Sequence, residues 1–239
     1  MSSSVQASVI YRTLMMDAKI RVLTAQSLLG GATAWDSLPA LKVEFCYLLV
    51  RRVIEAVTHG ALLREQHRYK ALKNVEAAES GRSHQGAQGW ETAPEILKRL
   101  VQVSPHALPI PIKAPQSVGD VGVYHFDRLQ LSVNHGRLIE LYKKSCNFLH
   151  AKSPLKGDFV AEVDAQRLAY DQAPNDLAKG VEFLRSLLWK HAAITLADQA
   201  ADDPRLPTSP QLAWILDFGN EAGHEITLIE ARAEPEPTN

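Results

Sequence analysis

EFCYLLVRRVIEAVTHGALL, residues 44–63, is apolar on almost every side when wound as an α-helix. A helix of that kind belongs at the centre of its domain with other elements covering it, so this stretch predicts a helical bundle. The helix is expected from about Leu38 to Arg68, with Ser37 as N-cap and Pro39 in the first turn. One polar stripe interrupts it: Glu44, Arg51, Glu55 and His59, spaced by seven, four and four residues. Charge is costly to bury unless it is paired. The stripe therefore reads either as an internal network of Arg51–Glu55 and Arg52–Glu55 pairs or as a groove facing a second polar helix.

The second helix is GRLIELYKKSCNFLHAKSP, residues 136–154, which ends at a proline. Leu138, Leu141, Tyr142, Ser145, Phe148 and Leu149 recur at three/four spacing and form its inward face. Glu140, Lys143, Asn147 and His150 line the opposite face, with Lys144 and Arg137 beside the row. From Gly136 to Lys156 the five cations Arg137, Lys143, Lys144, Lys152 and Lys156 oppose Glu140 alone. That local balance of +4 stands out in a chain whose formal net charge is −1.

A cation, an amide and an imidazole in one row suit a phosphate and a proton transfer, since histidine titrates nearest neutral pH. The helix dipole at a C-terminal turn also favours the imidazolium of His150. The two polar stripes are expected to face each other, with Glu55 near Lys143 or Lys144 and Arg51 open to a ligand. His150, Lys144, Lys143 and Asn147 are then the candidate catalytic group. Arg51, Glu55, His59 and Arg137 are the candidate binding or supporting residues.

A first helix is expected over 8–30, stopped by Gly30-Gly31, with Arg12, Asp17, Lys19 and Arg21 facing solvent. The stretch 74–89, NVEAAESGRSHQGAQG, reads as a polar loop. WETAPEILKRLVQV (90–103) reads as a short helix capped by Thr92. The proline-dense SPHALPIPIKAP that follows reads as an extended surface connector. VGVYHFD and LQLSV are expected to form a hairpin at 119–133. After Pro154 a linker and a further helix with Val163, Leu168 and Tyr170 inward are expected, and then a helix over 175–198, capped by Asn175 or Asp176, with His191 as a hydrogen-bonded core or boundary residue. LAWILDFG and EITLIEAR are expected to form a second hairpin over 211–231.

The fold class is therefore α+β: mainly a helical bundle built on 8–30, 38–68, 136–153 and 175–198, with a small antiparallel β element. The organisation expected is one globular domain over 1–231 and a disordered tail at 232–239.

A near-zero net charge argues against a general nucleic-acid coat but leaves room for a local basic site. No His or Cys pair has metal-ligand spacing and no glycine-rich phosphate loop is present, so neither metal nor cofactor is expected. Cys46 and Cys146 are the only cysteines, which excludes a disulfide framework and suits a reducing compartment. Cys146 adjoins the apolar face and reads as packing. The start lacks the basic and apolar regions of a signal peptide, and Arg51, Arg52 and Glu55 break the longest apolar run. No membrane span and a cytoplasmic location are the expectation.

A cation followed by histidine at the spacing of Lys143 or Lys144 to His150, on a helix, resembles the R-x4–6-H motif of the HEPN superfamily. In this chain the arginine position carries lysine, which lacks the bidentate fork; Arg51 would supply the missing guanidinium if the two stripes meet. The resemblance covers about one helix. It implies a helical, metal-independent endoribonuclease of toxin or defence type, in which the site helps an RNA 2′-hydroxyl attack the adjacent phosphate. It also implies a homodimer.

The paired arginines with glutamate in the early helix, the tryptophan-to-proline middle and the FLHAKSP segment also resemble a bacterial protein family with no assigned activity. Two other readings stand beside the nuclease. The lysine substitution and the neutral overall charge suit a catalytically inactive binding or regulatory subunit with a partner protein. The Arg51/Glu55/His59 groove suits a small-molecule binder or enzyme.

Overall fold

The computed structural model describes residues 3–31, 33–79, 91–114, 116–117, 124–130, 135–149, 159–196, 210–223 and 225–232. The protein is a mainly helical α+β fold with a small antiparallel sheet. The helices are α1 (Ser3–Gly30), α2 (Pro39–Arg64), α3 (Gln66–Glu79), α4 (Ala93–Val103), α5 (His135–Leu149) and α6 (Phe159–Leu188). The strands are β1 (Ile110–Pro111), β2 (Gln116–Ser117), β3 (Tyr124–His125), β4 (Lys190–Leu196), β5 (Pro210–Asp217) and β6 (Thr227–Arg232). Among the described residues no helix is long and apolar enough to cross a membrane.

Helix α2 is the central helix, as its composition requires. Cys46, Tyr47, Val50, Val53, Ile54 and Val57 are buried on it, and α1 packs along one side. Tyr11, Met15, Ala18, Val22 and Ala25 of α1, spaced four, three, four and three, supply the facing ridge. The two helices close tightly at Gly60, where a Cβ would lie 2.7 Å from the Tyr11 ring. An aromatic series then ties α2 to α5 and α6. Tyr47 stacks on Phe148 at 4.3 Å, Phe148 meets Tyr170 edge-on at 5.1 Å, and the Tyr170 hydroxyl donates to Glu44 at 2.5 Å.

Four strands form one antiparallel sheet in the order β1-β4-β5-β6. His191, Ala193, Trp214 and Leu216 are buried, the last three in the helical core. Ala192, Ala213 and Ile215 belong to a smaller apolar cluster completed by Ile112 and Phe126. This alternation is the period-two signature of a sheet covered on both faces.

Several expectations change. Helix 38–68 breaks at Glu65, although no glycine or proline stands there. Arg64 and Arg68 are buried just where the chain breaks. Arg64 donates to the carbonyls of Ile194 (2.5 Å) and Ala107 (2.6 Å), and Arg68 to that of Val103 (2.9 and 2.7 Å). These buried contacts with α4, β4 and the connector outweigh continuous helix. Asn74–Glu79, read as the start of a loop, is the end of α3; 80–90 lie outside the described residues.

The helix expected before residue 175 and the one expected from it are a single helix, α6, which starts at Phe159 and runs through Pro174, with Val163 and Leu168 exposed rather than inward. Proline removes one main-chain bond, but Tyr170 on one side and buried Ala173 and Leu177 on the other hold the register. Its expected end, 190–196, is instead β4, because HAAITL pairs with β1 on one side and β5 on the other. A short apolar run does not reveal its period.

The proline-dense connector is not a surface segment. Ile110–Pro111 is the edge strand β1 and Ile112 is buried. An edge position tolerates proline. The hairpin expected at 119–133 has a different partner. Tyr124–His125 pairs with Gln116–Ser117 upstream, and Lys113 and Leu129 donate to Asp127 and Pro111 carbonyls at 2.8 Å. β2 and β3 form a separate two-stranded sheet, and the chain just after β3 bonds back to the end of β1. Residues 118–123 and 131–134 lie outside the described residues. The 211–231 hairpin forms as β5–β6. The tail from 233 lies outside the described residues.

Candidate functional site

Leu138, Ile139, Tyr142 and Ser145 are buried on α5 and set its orientation. Lys143, Asn147 and Arg137 are consequently exposed. His150 lies outside the described residues. The two lysines have different surroundings. Lys143 follows Tyr142 and stands on the side of Cys146 by helical rotation. Lys144 turns to α6 and forms an ion pair with Asp176.

The polar stripe of α2 meets α5 at Tyr142 and Cys146. The Arg51 Nε donates to Glu55 Oε1 at 3.0 Å, and its Nη1 lies 3.9 Å from the Cys146 Sγ. Its guanidinium carbon stands 5.0 Å from the centre of the Tyr142 ring. Arg52 donates to the other Glu55 oxygen at 2.9 Å, and the Tyr142 hydroxyl to Glu55 Oε1 at 3.4 Å. Burial holds the Tyr142 phenol above its ordinary range, with Arg51 pulling the other way. Glu55 is thus a carboxylate with two guanidiniums and a phenol around it.

The stripe and α5 do adjoin, but not through the pairing expected. The ion partners of Glu55 are Arg51 and Arg52 of its own helix, three and four residues away, whereas Lys144 takes Asp176. The i, i+3/i+4 geometry places these partners side by side. His59 is exposed on the next turn of α2. Arg137 lies with its guanidinium carbon 3.9 Å from the Phe183 ring centre, away from this seam on α6. The arrangement places two partly exposed guanidiniums, the groups that bind planar anions, on one shared carboxylate beside α5.

Sequence reasoning missed a different set of polar residues, in the core. Lys19, assigned to solvent, is fully buried. Its ammonium donates to the carbonyls of Phe218 (2.5 Å), Asn220 (3.0 Å) and Glu225 (3.1 Å). The signal was its place between Met15 and Val22 on the apolar ridge. The Tyr11 hydroxyl and His191 Nε2 lie 3.0 Å apart, and His191 Nδ1 lies 2.8 Å from the Leu188 carbonyl. Burial pushes the His191 imidazole down to about 4 and the Tyr11 phenol up to about 12, so both are neutral across ordinary pH.

The β5–β6 turn that Lys19 holds lines a cleft of about 660 Å³ with Arg12, Asp217 and Glu225. Burial pushes the Cys46 thiol up to about 11, which makes it a packing residue. Among the described residues no cluster of three or more His, Cys, Asp or Glu side chains could hold a metal ion. No protein-family model matches this chain, and neither a curated protein nor a solved structure matches it.

Proposed function

We propose that the chain is a HEPN-like, RNA-binding protein that engages backbone phosphates at the α2–α5 seam and cleaves RNA without a metal. The observation that carries this reading is the pair of guanidiniums, Arg51 and Arg52, standing beside the helix whose exposed edge bears Lys143 and Asn147. Arginine offers the planar fork that the lysine-bearing motif lacks. In this reading His150 takes the proton of the RNA 2′-hydroxyl, and the 2′-oxygen attacks phosphorus. His150 then returns that proton to the 5′-oxygen as its bond to phosphorus breaks, giving a 2′,3′-cyclic phosphate and a 5′-hydroxyl. Arg51, Lys143 and Asn147 hold the phosphate oxygens. A toxin or defence role in the cytoplasm accords with this chemistry.

The test is RNA cleavage in EDTA by the wild-type protein, His150→Ala and Lys143→Ala. The reading expects cleavage that His150→Ala abolishes with the fold intact, and RNA binding that weakens steeply with salt. Cleavage that survives in His150→Ala would come from a contaminant and would end the nuclease reading.

One set of contacts favours the second reading, a catalytically inactive binding or regulatory subunit. The cations Lys144, Arg51 and Arg52 are each held by a carboxylate, Asp176 or Glu55. RNA binding without cleavage, or neither, would favour that subunit.

A further inference from the structure

The turn between β5 and β6 is held more firmly than a surface turn requires. Gly219 takes the left-handed conformation, φ 62°, that reverses the chain. Beneath it, buried Lys19 gathers the carbonyls of Phe218, Asn220 and Glu225. The Asp217 carboxylate accepts from Lys190 at 2.7 Å and from the Gly219 N–H at 2.9 Å. The cleft of about 660 Å³ between this turn and the N-terminal part of α1 is therefore preformed, and its size is that of a small-ligand site.

Arg12 and Glu225 both line this cleft and both are exposed, yet among the described residues neither has an ion partner. Only the Nε of Arg12 is engaged, by the Ile226 carbonyl at 3.3 Å, which leaves both Nη groups of its planar fork open. The sheet register defines what stands beside that fork. The Phe218 N–H bonds to Trp189, on the β4 side. By alternation the main chains of Asp217 and Thr227 face each other, and those of Ile226 and Leu228 face away from β5. β6 is the last strand of its sheet, so no further strand covers that side. The bond from Arg12 to the Ile226 carbonyl agrees with this direction. The Leu228 N–H opens on the same side, and Leu228 lines the cleft.

A guanidinium fork beside a main-chain N–H is suited to a carboxylate, and an unpaired carboxylate in the same cleft is suited to an ammonium. Opposite charges that share a cleft without meeting suit one ligand that carries both. We propose that this cleft binds a free amino acid, with its carboxylate on Arg12 and the Leu228 N–H, its ammonium on Glu225 and its side chain along Val9. An anion alone would lie unscreened beside Glu225, and a cation alone beside Arg12, so the pair selects a zwitterion. Asp217 and Lys19 do not compete for the ligand, because Lys190 and the turn carbonyls already hold them. The site shares no residue with the α2–α5 seam and does not rest on the RNA reading.

Isothermal titration of the full chain, without RNA, against each protein amino acid in turn up to about 10 mM tests this. At least one should bind, with a Kd of about 0.01–1 mM. Its N-acetyl and amide derivatives, which each keep a single charge, should bind about tenfold more weakly or worse. Arg12→Gln and Glu225→Gln should each weaken binding by about tenfold or more. Their melting without ligand should stay unchanged, because both side chains are exposed. Arg21→Gln, on the same helix but outside the cleft, should bind as the wild type does. No binding by any amino acid overturns the proposal. So does binding that is indifferent to either cleft variant, or capped derivatives that bind as tightly as the free amino acid.

Discussion

Lys19 and Arg51 are cations on adjacent central helices, and the structure treats them in opposite ways. Lys19 is fully buried, and its three bonds go to main-chain carbonyls of the β5–β6 turn. Arg51 keeps 27% of its side chain exposed, and its strongest bond goes to the carboxylate of Glu55. A main-chain carbonyl in a folded turn has no alternative partner, so a cation bound to three of them is a structural pin. Glu55 is a side-chain carboxylate, 17% exposed, shared with Arg52 and Tyr142, so Arg51 is held by a group that, unlike a main-chain carbonyl, has rotamers of its own. The difference separates a cation that pins the fold through main-chain carbonyls from one whose partner is a side chain.

The comparison breaks first, if it is wrong, at Lys19. Lys19→Met strands the buried Phe218 carbonyl and two part-buried ones and should cost about 3–5 kcal/mol, read as a lower denaturant midpoint. A loss under about 1 kcal/mol would mean that the turn does not depend on the pin.

The buried His191 gives the next largest effect. Its pKa lies near 4 in the folded chain against 6.5 unfolded, so the unfolded state binds the extra proton between those values. The stability that His191 contributes is complete above about pH 6.5 and lost as pH falls toward 4, by about 3 kcal/mol in total. Urea titrations from pH 7 to pH 4 on wild type and His191→Gln should show that slope in the first and a much shallower one in the second. Parallel curves would remove His191 from the structural set.

Gly60→Ala should cost about 1–3 kcal/mol, because the added methyl group meets the Tyr11 ring and disturbs its bond to His191. Near-UV circular dichroism and a urea melt would report it; an unchanged melt would mean that α1 and α2 separate freely at that point.

Glu55→Gln is the smallest on stability and the sharpest on the contrast. It should change stability by less than about 1 kcal/mol while tightening RNA binding and steepening its salt dependence. A large loss of stability would place the α2–α5 seam with the buried pins instead.

How much was legible follows from the range of each interaction. The 44–63 stretch announced a buried helix because its apolar residues surround the axis, and the Arg51–Glu55 and Arg52–Glu55 pairs were legible because four residues make one helical turn. The β5–β6 hairpin was legible for a similar reason, since two alternating runs flank a short turn. By contrast Glu65 carries no breaker signal, and α2 ends there because Arg64 and Arg68 reach carbonyls 35–130 positions away. Residues 190–196 looked helical because a run of five apolar or small residues, 192–196, fits either period until its neighbours are known.

The candidate site divides in the same way. The row of Lys143, Asn147 and His150 is periodic and could be read, but the ion pairing of Lys144 could not. It depends on Asp176 of α6, 32 residues on. Sequence alone determined the helical core, its central element and the local ion pairs, because these rest on contacts within one or two turns. Tertiary structure alone decided which cations are buried, which partners they take across the fold and where β4 lies. Those outcomes depend on burial and on partners that only folding brings within a few ångströms.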